Sequence, residues 1–197
     1  PAPAPPPGGA APPFAVNPGT GLTATVTPAV APAPAVIVRD QFANPVAGVS
    51  VTFTVTGGGG SITPGSPASV STNAAGIAAL TNWTLGTVAG ANTLQATAGG
   101  LPGSPVSFTA TGTAGPATQI ALNAGHGQSA TVNTTVATAP SVLVRDQFNN
   151  PVAGLSVTFT VTGGGGTISP ASPASVATNA AGLAALPSWT LGTTAGA

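Results

Sequence analysis

Apolar and polar residues alternate along short runs of this chain, and the clearest of these runs occurs twice. Val38–Gly60 and Val144–Gly166 differ at only two positions. Within the first copy, one face of the run carries hydroxyl side chains and the opposite face carries Val49, Val51, Phe53 and Val55. A period of two residues is typical of a strand that is buried on one face. The duplicated stretch therefore predicts core strands in both halves of the chain.

The segment ahead of this run predicts a reversal of the chain. Asn44 and Pro45 favour a type I turn over Asn44–Gly48. The unit is thus predicted as strand, turn, strand, ended by the four glycines Gly57–Gly60, which we interpret as a flexible loop. Asp40 stands at the end of the first strand, and we expect its carboxylate to cap the turn by accepting N–H bonds near Phe42 and Ala43.

The same alternation predicts eight strands in the first half of the chain. They lie near Phe14–Asn17, Ala24–Thr27, Ala35–Asp40, Val49–Thr56, Ala68–Thr72, Ile77–Leu85, Asn92–Ala98 and Val106–Thr111. Asn73–Gly76 predicts a tight turn. Trp83 alternates with Ile77, Ala79, Thr81 and Leu85, so its ring is predicted to face the core, as are Leu94 and Ala96 on the following strand.

The whole chain repeats with a period of 106 residues. Phe14–Ala91 and Ile120–Ala197 are identical at 56 of 78 aligned positions. A period of this length fits a tandem array of small domains better than a solenoid. Short alternating runs between Gly, Pro and Asn predict an all-β sandwich or barrel. We predict domains at 14–113 and 119–197, joined by a linker at 114–118.

The two ends of the chain lead to separate predictions. Pro1–Pro13 is rich in Pro and Ala and predicts a linker, either an extended polyproline II spacer or an unstructured tail. The second repeat stops at Ala197, the counterpart of Ala91, so we expect counterparts of Asn92–Thr113 to be missing. That truncation would uncover an apolar face and leave the second repeat unstable or self-associating when made alone. The chain starts with Pro and shows no signal peptide, which indicates a fragment.

Composition and charge exclude several classes of function. Gly and Pro make up 28 and 22 of the 197 residues, but the hydrophobic 42% falls in alternating runs, which argues for a folded chain. Only 2% of residues are charged and the net charge is zero. The chain therefore lacks the basic cluster that would bind nucleic acid or an anionic membrane surface. Cysteine is absent, which excludes disulfides and thiolate chemistry. No apolar run is long enough for a membrane-spanning helix.

No catalytic, cofactor-binding or metal-binding residue is predicted. His126, the single histidine, lies between glycines and is interpreted as a solvated loop residue, since no nucleophile-elbow motif accompanies it. Asp40 and Asp146 fall one in each repeat, so paired-carboxylate chemistry would need the domains to meet. Calcium between the domains stays an alternative, although few carboxylates are at hand for it. Gly57–Gly60 lacks the Lys and helix of a phosphate-binding loop.

Three motifs make the repeat specific enough to resemble a known family. They are the Val36–Phe53 pattern with Arg-Asp and Asn-Pro-Val, the Asn73-Ala-Ala-Gly-Ile-Ala turn, and Trp83-Thr-Leu-Gly followed by Gly90-Ala-Asn-Thr-Leu-Gln-Ala. Together they resemble the bacterial immunoglobulin-like domains of the invasin and intimin type. The resemblance implies tandem immunoglobulin-like β-sandwiches on secreted or surface-anchored bacterial proteins, where such repeats act mainly as stalks. This chain carries far fewer charges and no recognisable binding tip or anchor.

Two functions remain in competition. The first is a structural spacer in an adhesin-like secreted or cell-surface protein, with neighbouring immunoglobulin-like repeats as its partners and an extracellular location. The alternative is a module that binds carbohydrate or protein through loops at the sandwich end, attached to a larger protein such as a secreted enzyme. Both tryptophans, Trp83 and Trp189, fit core positions, which favours the spacer. Catalysis by this chain is the least favoured class.

Overall fold

The computed structural model describes residues 14–196, and the Pro/Ala-rich linker predicted at 1–13 lies outside them. Every regular element within the described range is a β-strand, so the all-β prediction is confirmed. None of these residues belongs to a helix that could cross a membrane. The boundary between two compact units falls between Thr113 and Ala114. Each unit is taken by itself below.

The first unit contains ten strands. They are β1 (Phe14–Val16), β2 (Leu22–Thr25), β3 (Ala35–Val38), β4 (Ser50–Gly57), β5 (Ser61–Ile62), β6 (Ala68–Ser71), β7 (Ile77–Ala79), β8 (Trp83–Thr84), β9 (Gly90–Thr97) and β10 (Val106–Thr113). One sheet has the order β1-β3-β7, and a second has the order β2-β10-β9-β4-β6. The strands β5 and β8 form a separate pair.

The duplicated stretch connects these two sheets. Its first strand, β3, lies in the three-stranded sheet, while β4 lies in the five-stranded sheet. The two strands predicted on either side of the turn therefore do not pair with each other. As predicted, β4 turns its apolar face inward, with Val51 and Phe53 fully buried. The Phe53 ring lies against Phe108 of β10 with ring centroids 6.4 Å apart.

The core of the first unit lies between the two sheets. Trp83 is its largest fully buried side chain, and Leu94 and Ala96 of β9 are also fully buried, as predicted. The prediction of one continuous strand over Ile77–Leu85 is wrong. The chain leaves β7 after Ala79 and enters β8 at Trp83, so the buried positions are Ala78 and Leu80 before the break and Trp83 and Leu85 after it. Ala79 and Thr81, which were placed on the face of Trp83, are exposed.

The second unit repeats most of these strands. They are β11 (Gln119–Ala124), β12 (Ser141–Arg145), β13 (Ser156–Phe159), β14 (Thr167–Ser169), β15 (Ala174–Ala177), β16 (Leu183–Ala185) and β17 (Ser188–Thr190). The sheet β11-β12-β16 matches β1-β3-β7 with the same antiparallel pairings. The pairs β13-β15 and β14-β17 match β4-β6 and β5-β8.

Within residues 114–196 there is no counterpart of β2, β9 or β10. In the first unit β9 pairs with Thr52–Gly57 of β4, and β10 pairs with β2. Without those partners β13 ends at Phe159, and residues 128–131 form no strand. Ile120 of β11 is 63% exposed, whereas its counterpart Phe14 is 1% exposed. The side chain at this position of the sheet is therefore much less covered in the second unit than in the first.

The four glycines that end β4 form a tight turn rather than the flexible loop we predicted. Gly58 and Gly59 both adopt left-handed backbone conformations, which favour glycine. The turn packs directly on Gly86, where an added Cβ would lie 1.8 Å from the carbonyl oxygen of Gly58. Gly192 makes the same close approach to Gly164 in the second unit. Backbone contact, and not mobility, explains these glycines.

Candidate functional site: the aspartate turns

The turn that follows β3 places the first unit's carboxylate, Asp40. One oxygen of Asp40 accepts N–H bonds from Phe42 at 2.8 Å and Asn44 at 2.9 Å, and the other accepts the Asn44 side-chain amide at 3.0 Å. The Arg39 guanidinium donates to the carbonyl oxygen of Ala43 at 2.8 Å. The charged groups of this repeat thus hold a turn together.

This geometry corrects the predicted position of the reversal. The tight turn spans Asp40–Ala43, because the N–H of Ala43 donates to the main-chain carbonyl of Asp40 at 3.0 Å. Ala43 adopts a left-handed conformation with φ of 66°. Pro45 then forms an isolated bridge with Arg39, so the Asn-Pro pair lies after the turn. The expected capping role of Asp40 is present, with Asn44 instead of Ala43 as the second backbone donor to its carboxylate.

The corresponding turn of the second unit has one further contact. Asp146 accepts bonds from Phe148, from the Asn150 backbone and from the Asn150 side chain, as Asp40 does from its neighbours. Its second oxygen also accepts the N–H of Gly115 at 2.9 Å. Thr118 donates to the carbonyl of Arg145 at 3.0 Å, next to the turn. The segment predicted as a linker is therefore bound to the second unit at two points.

Burial distinguishes the two carboxylates as well. Asp146 is 1% exposed, whereas Asp40 is partly exposed. The Asn44 side chain lowers the pKa of Asp40 below its ordinary value, with help from the backbone N–H groups of Asn44 and Phe42. Burial alone would raise the pKa of Asp146, but the hydrogen bonds from Asn150, Gly115 and Phe148 together outweigh it and lower that pKa. Both groups are anions held by N–H donors.

The hydrogen bonds around the two carboxylates support a structural role better than a catalytic one. Each carboxylate is surrounded by donors from its own turn, so its oxygens are engaged in capping. His126 is exposed in a loop between Gly125 and Gly127, both with left-handed backbone. Among residues 14–196 there is no group of three His, Cys, Asp or Glu side chains that could hold a metal ion. In the described part of the chain, the role that the two carboxylates show is therefore the capping of turns.

Sequence reasoning missed one exposed aromatic at this end of the first unit. Phe42, the third residue of the turn, is 75% exposed, while its counterpart Phe148 is partly buried. The duplicated motif gives the two phenylalanines identical preceding residues and so could not separate them. The signal that could have located Phe42 was its place directly after Asp-Gln in a turn, where a large apolar side chain is free of the alternating strand pattern.

No protein-family model and no curated protein matches the sequence. Among solved structures, the Escherichia coli adhesin FdeC is similar over 93% of this chain, with a TM-score of 0.52 and 19% identity. Invasin, a bacterial integrin-binding protein, matches 92% of the chain at a TM-score of 0.41 and 18% identity. The Yersinia pseudotuberculosis adhesin InvE matches 91% at 0.41 and 18%.

The chain spans only part of each of these proteins, 56% of the FdeC structure, 33% of invasin and 51% of InvE. At 19% identity the similarity to FdeC concerns the fold, and it agrees with the resemblance carried by the duplicated motifs. The chain therefore has the all-β, immunoglobulin-like sandwich fold that the FdeC structure shows.

Proposed function

We propose that the chain is a pair of spacer repeats in an adhesin-like protein that is secreted or displayed on the bacterial surface. The observation that carries this proposal is the reuse of one scaffold. Two repeats 106 residues apart share four strand pairings and their capped aspartate turns. Their charged groups serve these turns and leave no cluster for catalysis in the described part of the chain. On this proposal the partners of each repeat are its neighbours in the same polypeptide.

The contact between Gly115 and Asp146 supports a spacer in particular. A stalk transmits position only if the segment that enters each repeat is held by that repeat. The 2.9 Å bond to a buried carboxylate supplies such an attachment directly after the first unit ends at Thr113. Charge-assisted bonds of this kind are stronger than bonds between neutral groups.

The spacer proposal predicts how length grows with repeat number. Chains with two, three and four copies of residues 14–113, joined through 114–118, would be measured by small-angle X-ray scattering. A spacer adds the same increment to the maximum dimension with every copy. Matched chains joined by Gly/Ser segments of equal length should grow more slowly, because flexible links scale roughly with the square root of their number. Equal growth in both series would contradict the proposal.

Phe42 supports a second candidate function, a binding module. A phenylalanine that is 75% exposed at the end of a sandwich is an apolar contact for a carbohydrate ring or a protein surface. The turn beneath it is fixed by Asp40, so the ring is presented from an ordered backbone. Such a ligand would approach the first unit through its end loops.

Glycan-array and surface-protein binding by the whole chain would test this candidate. Phe42→Ser should abolish a specific signal, since it removes the exposed ring without touching a core position. Phe148→Ser is the matched control in the second repeat. Binding that survives Phe42→Ser would exclude this surface, and no binding at all would leave the spacer as the favoured function.

A further inference from the structure

The outer face of the five-stranded sheet in the first unit carries threonines on three neighbouring strands. We call six of them the threonine face: Thr109, Thr111 and Thr113 of β10, Thr93 of β9, and Thr23 and Thr25 of β2. On β10 these residues alternate with the buried Phe108 and Ala110, so their side chains point away from the core. Five of the six are exposed, and Thr93 is partly buried.

The register of the sheet arranges these side chains in two directions. It pairs them across the strands, Thr111 with Thr23, Thr113 with Thr25 and Thr109 with Thr93. Neighbouring strands lie about 4.8 Å apart, and alternate residues of one strand lie about 6.8 Å apart. The branched Cβ restricts threonine to few rotamers, so methyl and hydroxyl groups recur in similar orientations. The threonine face is therefore a two-dimensional array of hydroxyl groups on a hydrogen-bonded backbone.

The chemistry of this face excludes several kinds of ligand. Among the described residues, the outward positions of these five strands carry no charged and no aromatic side chain. An ion therefore finds no opposite charge there, and a sugar ring finds no aromatic surface on which to stack. Four hydroxyls of the face have no hydrogen-bond partner within residues 14–196: Thr23, Thr25, Thr109 and Thr111. These groups are available to a neutral, hydrogen-bonding ligand.

We propose that the threonine face binds ice. Water molecules in ice repeat in two dimensions, at separations similar to those between the side chains of this array. Each hydroxyl donates one hydrogen bond and accepts others, and the methyl group beside it adds apolar contact. Groups that recur in register can hold an ordered layer of water, whereas scattered hydroxyls cannot. This activity goes beyond spacing, because a spacer requires no particular side chains on the outer face of its sheets.

Uptake of the whole chain into slowly growing ice would test the proposal. Ice is grown in a dilute solution of the protein, and the fraction of protein in the ice is measured. The unchanged chain should be enriched in the ice, whereas a globular protein without such a face stays in the liquid. Thr111→Lys and Thr23→Lys each place a long charged side chain within the array. Each should reduce uptake to the level of the excluded protein.

Thr81→Lys is the matched control, because it adds the same charge at an exposed position between β7 and β8, outside the five-stranded sheet. This variant should be taken up as the unchanged chain is. Circular dichroism and urea unfolding check the fold of every variant, and β2 is an edge strand, where lysine is common in natural sheets.

Three results would overturn the proposal. The first is an unchanged chain that is excluded from ice. The second is uptake that Thr111→Lys and Thr81→Lys change equally, because the threonine face would then not be the binding surface. The third is adsorption to crystalline cellulose or chitin that Thr111→Lys abolishes, with no uptake into ice, since a neutral polysaccharide would then be the ligand.

Discussion

Trp83 and Trp189 occupy the same place in the repeat and share the following Thr-Leu-Gly, but their surroundings differ. Trp83 is fully buried, whereas Trp189 is partly exposed and lines cavities on an open face. The strand that carries the tryptophan is paired in the same way in both repeats, because β8 pairs with β5 and β17 pairs with β14. The burial of Trp83 therefore depends on strands supplied elsewhere in its unit.

Contacts in the turns that flank the shared strands are the same in both repeats. The hydroxyl of Thr72 accepts the N–H of Val49 at 3.0 Å and donates to the carbonyl of Val46 at 2.7 Å. Thr178 makes the corresponding bonds at 2.9 and 2.7 Å. The Asn73 and Asn179 turns also match bond for bond. The hydrogen bonds of these turns thus depend on nearby residues, whereas burial of the core depends on all strands of the sandwich.

The largest expected effect comes from removing the two tryptophans separately. Trp83→Ala should lower the free energy of unfolding of the first unit by about 3–5 kcal/mol, because it empties a closed core. Trp189→Ala should cost the second unit only about 1–2 kcal/mol, since part of that ring already faces solvent. Hydrogen exchange with peptide resolution measures each unit separately within one chain. Equal losses would show that the two cores are equally closed.

The sequence was sufficient to predict the strands whose alternation is uninterrupted and the turns that are built from their own side chains. The face of β4, the burial of Trp83 and the Asn73 turn are examples. It failed where the break has no strong local signal in the first repeat, although Pro187 marks the same position in the second. Leu80–Asn82 carries no Gly or Pro, so the run from Ile77 to Leu85 looked continuous although its two ends belong to different sheets.

Long-range pairing was the second source of error. The β3 and β4 strands flank a turn and resemble a hairpin, but each finds better partners far along the chain, β7 and β9 respectively. The bond between Asp146 and Gly115 spans 31 residues and joins a motif to a segment without any pattern. Only three-dimensional structure brings such groups together. The candidate site was therefore predictable as a capped turn but not as the anchor of an incoming segment.

The aspartate turns should respond unequally to truncation. Asp146→Ala removes the acceptor for Gly115, Phe148 and Asn150 in a buried position, and we expect the second unit to lose about 1–3 kcal/mol. Asp40→Ala should cost the first unit less, because water can satisfy the donors that Asp40 leaves. Exchange at the Gly115 amide should accelerate in the Asp146 variant alone. An unchanged Gly115 would mean that the contact does not hold the segment in solution.

The smallest expected effect is the dependence of stability on pH, and the low charge makes it unusually simple to interpret. The chain has two Asp and no Glu, so Asp40 and Asp146 are its only carboxylate side chains. Their pKa values are lowered in the fold, which means that the folded state binds protons less readily than the unfolded chain. Each carboxylate therefore contributes stability above the unfolded pKa of about 3.9, and this contribution is lost as the pH falls toward the folded pKa.

Urea unfolding between pH 7 and pH 2.5 would measure this loss. Stability should be nearly constant down to about pH 5 and should decrease below about pH 4. Asp146→Asn should flatten the acid response of the second unit, and Asp40→Asn that of the first. If both substitutions leave the acid response unchanged, the hydrogen bonds around these carboxylates do not favour the charged form. The two turns would then be equivalent in solution, and the repeats would differ only in the cover over their cores.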